Sequence, residues 1–543
     1  MTINVRTLAL LAAAALLACD EGGSVNDDGL SSDGLDAGPD APSGPLANVY
    51  NVNPVEDGKK TSVVTLQHLT DPGGKLSGKY ADVWNCLNEP GGDTFNVTLG
   101  GMPVSGSVCH LVQKATADKN GTYLDITPPA SDDDGNDSFA EVMMYHHVTT
   151  IHDHYAEGFG LKHLESTRMR SLVNVQVLFL GQWVGILNAA YFPKETGSLF
   201  AQFGVDLNKG EDAIIFSQDT MDSTVDTAYD ASVIYHEYTH AAIGSSALWK
   251  PATDKHGMDP SPKGLNEALA DYLAASFIGS PTIGSYSLAA LGADRDLTRV
   301  FKCPDHLVGE EHTDGEIASG ALWSLRQVLG PKVADQAIWN AVLTFGEDTT
   351  FEEASLAIID EVKKAAPGKE PEIQKILQER GMLGCVRLKD HVDTTGGSGL
   401  YFPDALPAVF PDGTPSYVQL RLALKPTTKE LTIEYAPSGG TLMGIPIGGA
   451  KSDVWVALSK GSDPITYDYA TGTAVSTAKA ILKGQDEGNG YRLVLSGDCI
   501  SQGDLVFQFL NKSASGGKLT KIVVTQSATV TNTEDNFTGC TSP

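Results

Sequence analysis

Ala231-Ser-Val-Ile-Tyr-His-Glu-Tyr-Thr-His240 is the stretch on which the reading of this chain turns. It sets His236, Glu237 and His240 inside an apolar run of helical character. An α-helix turns once every ~3.6 residues, so side chains four apart leave the same face. Two neutral imidazoles placed that way can grip one zinc ion, and Glu237 beside them can take a proton from an attacking water. The same spacing arises by chance on ordinary surface helices, so the weight falls on what the rest of the chain supplies.

Downstream, Gly264-Leu-Asn-Glu-Ala-Leu-Ala-Asp-Tyr272 opens a second helical run in which Glu267 and Asp271 share a face. Catalytic zinc takes three protein ligands and keeps a fourth position open, and Glu267 suits the third. Asp271 can then accept the remaining ring N–H of one ligand histidine, and Asn266 that of the other. Leu265, Leu269, Tyr272 and Leu273 interleave as core, which a solvated helix face does not explain. A third piece is Glu311-His-Thr-Asp-Gly-Glu-Ile-Ala-Ser-Gly-Ala-Leu-Trp323. His312 sits just ahead of a helix carrying Ile317, Ala321, Leu322, Leu325 and Val328 at helical spacing, closed by Gly330. A histidine at such a mouth can hydrogen-bond a tetrahedral oxyanion.

Taken together, HEYTH, NEALAD and a lone histidine before a GEI…LW helix resemble the motifs of the gluzincin metallopeptidases, in particular thermolysin and the fungalysins, over roughly residues 138 to 330. The gap between His240 and Glu267 is longer than thermolysin's and nearer the fungalysin arrangement. The resemblance implies an α+β catalytic domain of two lobes, a β-rich N-lobe and a helical C-lobe with the cleft between them. It implies that His236, His240 and Glu267 bind Zn2+, that Glu237 is the general base, that Asp271 orients His236, and that His312 stabilises the transition state. In such enzymes a carboxylate steadies the histidine, and a tyrosine and an arginine assist. The residue five before His312 is Leu307, not an acid, which leaves Asp305, Glu310 and Asp314 as candidates for the carboxylate and Arg295 and Arg299 for the arginine.

At 543 residues, two or three domains are expected. A hydrophobic content of 41% with 7% aromatic residues suits a soluble globular protein. The net charge of −30 argues against a nucleic-acid partner, whose phosphates demand the opposite sign. Arg6, the apolar run Leu8 to Ala18 and then Leu16-Leu-Ala-Cys19 read as an export signal too short to span a bilayer. The cysteine directly after Leu-Leu-Ala looks like the lipobox of bacterial lipoproteins, so Cys19 is expected to become the lipidated N-terminus, held at the cell envelope. Plain secretion is the alternative. Seven cysteines less Cys19 leave six, and local pairing as Cys86–Cys109, Cys303–Cys385 and Cys499–Cys540 is expected.

Along the chain the expected layout is a lipoprotein signal peptide at 1–18, a disordered tether rich in Asp, Gly, Ser and Pro at 19–47, the β-rich N-lobe at 48–230, the helical C-lobe with the zinc site at 231–385, and a β-sandwich at 386–543. The acidic run Ser131-Asp-Asp-Asp-Gly-Asn-Asp137 offers oxygens that suit Ca2+. It fails the EF-hand pattern, with Asp137 where glycine belongs and Met143 where glutamate belongs, so a solvated turn is the expectation. The helix read from Phe139 to Tyr155 carries four histidines, none with another four positions away, so they are expected in the core or at its rim. Asn188-Ala189 follows a strand-rich run. By the resemblance it forms an edge strand that hydrogen-bonds extended substrate backbone.

The expected activity is therefore zinc-dependent endopeptidase action on a peptide or protein substrate, anchored to the membrane through Cys19, with the oligomeric state open. An aminopeptidase with the same zinc chemistry is a competing reading, though the GxMEN-type signature of that class is absent. A non-catalytic envelope adhesin, binding through its C-terminal β-domain, is the other.

Overall fold

A computed structural model describes residues 44–540 apart from 71–73, 100–101, 133, 180, 186–187, 196–203, 220–224, 245–247, 439–440, 443–444, 447–450, 501–502, 531–535 and 538–539. Cys19 and the expected tether up to residue 43 lie outside the described residues. Seven α-helices are described: α1 (Phe139–Phe159), α2 (Ala231–Ile243), α3 (Ser261–Ile278), α4 (Glu311–Leu329), α5 (Pro331–Val342), α6 (Phe351–Ala365) and α7 (Glu370–Glu379). With many β-strands beside them the chain is mixed α+β. No described helix is long and apolar enough to cross a membrane.

The chain divides into two compact units. One comprises residues up to Trp249 with Leu269–Thr298 and Pro331–Leu343. The other comprises Lys250–Ala268, Arg299–Gly330 and everything from Thr344 on. The division cuts α3 between Ala268 and Leu269, although α3 itself is one continuous helix.

A nine-stranded mixed sheet organises the first unit. Its central strand, Met169–Phe179, runs parallel to both Ala81–Leu87 and Ala213–Asp219. Leu172, Val173, Val175 and Val177 are all buried along it, as expected of a strand covered on both faces. Helix α1 packs on this sheet and against α2. Asp137, two residues before its start, caps it: its two carboxylate oxygens accept from Phe139 N (2.6 Å) and Ala140 N (2.9 Å). The Tyr229 hydroxyl donates to the same carboxylate at 2.5 Å. The acidic run therefore serves as a helix cap at its last residue. Among the described residues, no group of three metal-ligating side chains forms there. Helix α2 is buried along its whole length and is capped by Asp230, which accepts from Ser232 N.

In the second unit, two six-stranded sheets contain most of the strands from Leu388 on. Tyr435 of one sheet lies 5.2 Å from Phe509 of the other, ring centre to ring centre, and donates to Val454 O. The alternation of Leu431, Ile433 and Tyr435 is what lets one face bury in this way. Cys86–Cys109, Cys303–Cys385 and Cys499–Cys540 are the disulfides, in the local pairing expected.

Candidate metal centre

The phasing of α2 brings the two histidines together. The Nε2 atoms of His236 and His240 are 3.1 Å apart, with their rings nearly perpendicular. Helix α3 delivers Asp271, whose Oδ1 lies 2.9 Å from His236 Nδ1. Glu267 stands one turn earlier on the same helix. His236, His240 and Glu267 each offer one ligand atom, and these atoms all lie within 4.8 Å of one another, a group that could hold a metal ion.

Asp271 is buried, and burial by itself would favour its neutral form. Arg295 reverses this, donating from Nε to Oδ2 and from Nη2 to Oδ1, both at 2.7 Å. With His236 as a further donor, the carboxyl is held down at about 2. An ionised Asp271 keeps the His236 proton on Nδ1 and so turns the Nε2 lone pair toward His240 and Glu267. Of the two candidate arginines, then, Arg295 reaches the centre through Asp271. Arg299 instead offers its carbonyl to Arg380.

The other side of α2 is gripped by α1. His147 Nδ1 pairs with the Tyr235 hydroxyl and His152 Nδ1 with the Tyr238 hydroxyl, each at 2.7 Å. Tyr155 and Thr239 share a hydrogen bond of 2.6 Å. Burial pulls His147 well below the ordinary histidine range, so it meets Tyr235 as a neutral ring. His147 and His152, among the core histidines read from sequence, thus hold the helix of the candidate metal site in place. Nothing local in the sequence pairs them with Tyr235 and Tyr238, more than eighty residues away.

Helix α1 runs on to Phe159, past the Tyr155 read in the sequence, and two helix starts beside the centre also differ. Helix α3 begins at Ser261 rather than Gly264, and His312 lies inside the first turn of α4 rather than ahead of it. Glu310 is the N-cap, accepting from His312 N and Thr313 N. Glutamate is an uncommon cap, which is why the start was displaced. Glu310 also takes His312 Nδ1 at 2.8 Å, while His312 Nε2 is 3.4 Å from Glu267 Oε2. Burial disfavours charge on His312, but Glu267, Glu310 and Glu311 outweigh it and hold the ring protonated well above its ordinary range. Glu310 is therefore the carboxylate on His312. Asp314 caps Val308 N and Gly309 N, and Asp305 pairs with Lys302. Gly315 permits the close approach of α4 to α3, since a Cβ there would fall 3.1 Å from Glu267 Cβ and 3.0 Å from Gly264 O. That glycine, one residue past Asp314, is a signal the sequence offered and its reading passed over.

Glu237 is buried within α2, and Asn266 is buried within α3. The strand Ala189–Phe192 packs beside α2 and pairs only with Ala213–Asp219 among the described residues, which makes it an edge. Asn188 O accepts from Ser217 N, and Asn188 Oδ1 accepts from Ala189 N at 2.8 Å.

No protein-family model and no curated protein matches this sequence. Among solved structures, the precursor of protealysin, a metalloproteinase from Serratia proteamaculans, is weakly similar. Its TM-score is 0.34 at 14% identity, over 46% of this chain and 79% of that chain. A family GH115 4-O-methyl-α-glucuronidase gives a TM-score of 0.12 at 11% identity, over 55% of this chain and 38% of that one.

Proposed function

We propose that the protein is a zinc-dependent endopeptidase held at a bacterial envelope through a lipidated Cys19. The observation that carries the hydrolytic reading is the His236, His240 and Glu267 group with Glu237 in the same buried helix. Two imidazoles and one carboxylate make the donor set of a catalytic zinc, and the bond from Asp271 to His236 Nδ1 leaves the right nitrogen to bind. Zinc in that position supplies Lewis acidity toward a peptide carbonyl and a water whose pKa is about 7.

The chain's own groups do the rest. Glu237 takes the proton of the attacking water and passes it to the departing amine. His312, protonated beside Glu310, donates to the oxygen that gains negative charge. The edge Ala189–Phe192 binds extended substrate backbone on both sides of the scissile bond, which suits internal cleavage.

Casein digestion by the purified full-length chain, with and without a chelator, tests this. Glu237→Gln is expected to keep the metal and lose about a hundredfold or more in rate. Digestion that survives both the chelator and the substitution would overturn the assignment.

A further inference from the structure

Glu267 and His312 belong to the compact unit that also contains the two C-terminal sheets. The hairpin Ala252–Asp254 with Gly257–Asp259 leads directly into α3. Asp259 Oδ1 accepts from Ser261 N, at the first residue of the helix. The other oxygen of Asp259 faces Arg387, which donates from Nη1 at 3.1 Å. The same guanidinium donates to both oxygens of Asp254, at 2.6 and 3.0 Å, and from Nε to Tyr417 O. Arg387 is buried and Asp259 is 14% exposed, while Asp254 is 37% exposed, so a desolvated guanidinium is held between one largely buried and one solvent-facing carboxylate, where planar bidentate geometry is demanding.

The sheets close around the rest of the hairpin. Met258 is fully buried in a core with Phe410, Ile465, Tyr467, Val506 and Leu510. Tyr467 N donates to Lys255 O, and the Tyr469 hydroxyl donates to Asp254 O. Gly257 has φ +101°, and a Cβ there would fall 2.7 Å from Pro415 Cγ, so the sheet rests on the backbone of the hairpin turn. The approach to α4 is held in the same way. Cys303 is bonded to Cys385, Lys389 Nζ donates to Leu307 O, and Tyr401 N donates to Val308 O.

We infer that Arg387 is a positioning residue for the metal centre. Through Asp259 it sets where α3 begins, and a rigid helix carries that setting along less than two turns to Glu267. The C-terminal sheets are thus part of the scaffold of the metal site rather than an appended binding module. This rests on the metal-binding reading but not on peptidase activity.

The test is zinc affinity, measured on the full-length chain by competition with a chromophoric chelator. Arg387→Met is expected to weaken zinc binding by about 2- to 30-fold, the range in which substitutions distant from a site act on it. Arg387→Lys should recover part of the loss, because an ammonium can serve one carboxylate but not the fork of two. Arg421→Met removes a surface pair with Asp390 at the neighbouring strand and should leave affinity unchanged. Where Arg387→Met fails to fold, Asp259→Asn keeps the cap acceptor and removes the charge facing Arg387, and the same weakening is expected. Wild-type affinity in a folded Arg387→Met or Asp259→Asn protein overturns the inference, as does a wild-type chain that binds no zinc. A chain that binds zinc with this dependence yet digests no casein would sink the proposed function alone.

Discussion

Replacing Arg295 by methionine isolates the electrostatic support behind His236, a candidate metal ligand. Asp271 receives three donors, two of them from Arg295, and its side chain is 2% exposed against 11% for Arg295. Solvent therefore does little to screen the pair, and removing one partner of a buried ion pair costs about 3–5 kcal/mol. Asp271 is held at about 2 in the folded chain, below its ordinary 3.8. The stability it contributes is present above 3.8 and lost as pH falls through about 2. Without Arg295 that depression goes. Burial then raises the carboxyl, and a protonated Asp271 donates to His236 Nδ1, which leaves the ring proton on Nε2, the nitrogen that would bind zinc. Urea unfolding of the metal-free Arg295→Met protein should show the loss in stability, and zinc affinity at pH 7 should fall by about 10- to 100-fold. Adding Asp271→Ala should then cost much less than it does alone, because the two residues act as a unit. A stability change under about 1 kcal/mol, the scale of an exposed pair, together with unchanged zinc affinity would refute the reasoning.

Asn188→Ala is expected to lower kcat/KM by a few-fold to about a hundredfold, the scale of one backbone partner lost near the reacting bond. N-terminally blocked peptides should be cut internally, and mass spectra showing stepwise release of single N-terminal residues would contradict the endopeptidase reading. Cys19→Ser is expected to release the protein from the detergent phase or to block its processing in a bacterial host, whereas wild-type protein found wholly in the medium would exclude an anchor. Glu141, buried on α1, is pushed by desolvation from 4.5 up to about 7 despite bonds from Asn85, Ala115 and Lys114. The folded chain then binds more protons than the unfolded one between those values. Stability should fall as pH rises through that window, by up to about 3 kcal/mol. Glu141→Gln should flatten that slope even though it is less stable overall, and an unchanged slope in denaturant titrations would remove Glu141 as its source.

The helices that carry the metal-site side chains were legible because helical phasing is local. His236 and His240 are four apart, as are Glu267 and Asp271, and each pair needs only its own helix to share a face. What holds those helices was not legible, since no local period links Asp254 to Arg387 across 133 residues or Tyr238 to His152 across 86. Glu310 lay between these cases. It was one of three acids near His312, and only the backbone path of Leu307–Gly309 sends Asp314 to the loop and Glu310 to the ring. The alternating strands beyond Leu388 announced sheets, but alternation says nothing of what a sheet rests on. Their hold on Met258 and Gly257 comes from side chains spread over more than a hundred residues.

The hairpin before α3 is enclosed by residues as late in the chain as Val506 and Leu510. A ribosome or an export channel delivers residues in order, at about 5–20 per second in synthesis. The two histidines of α2 emerge roughly 270 residues ahead of Leu510, an interval on the order of 15 to 50 seconds at that speed. For most of it, the nascent chain has its imidazole pair and its Glu267 but not the sheets that enclose the hairpin before α3. A metal site of this design is finished only when the end of the chain arrives, so chain order alone would delay the activity proposed for it.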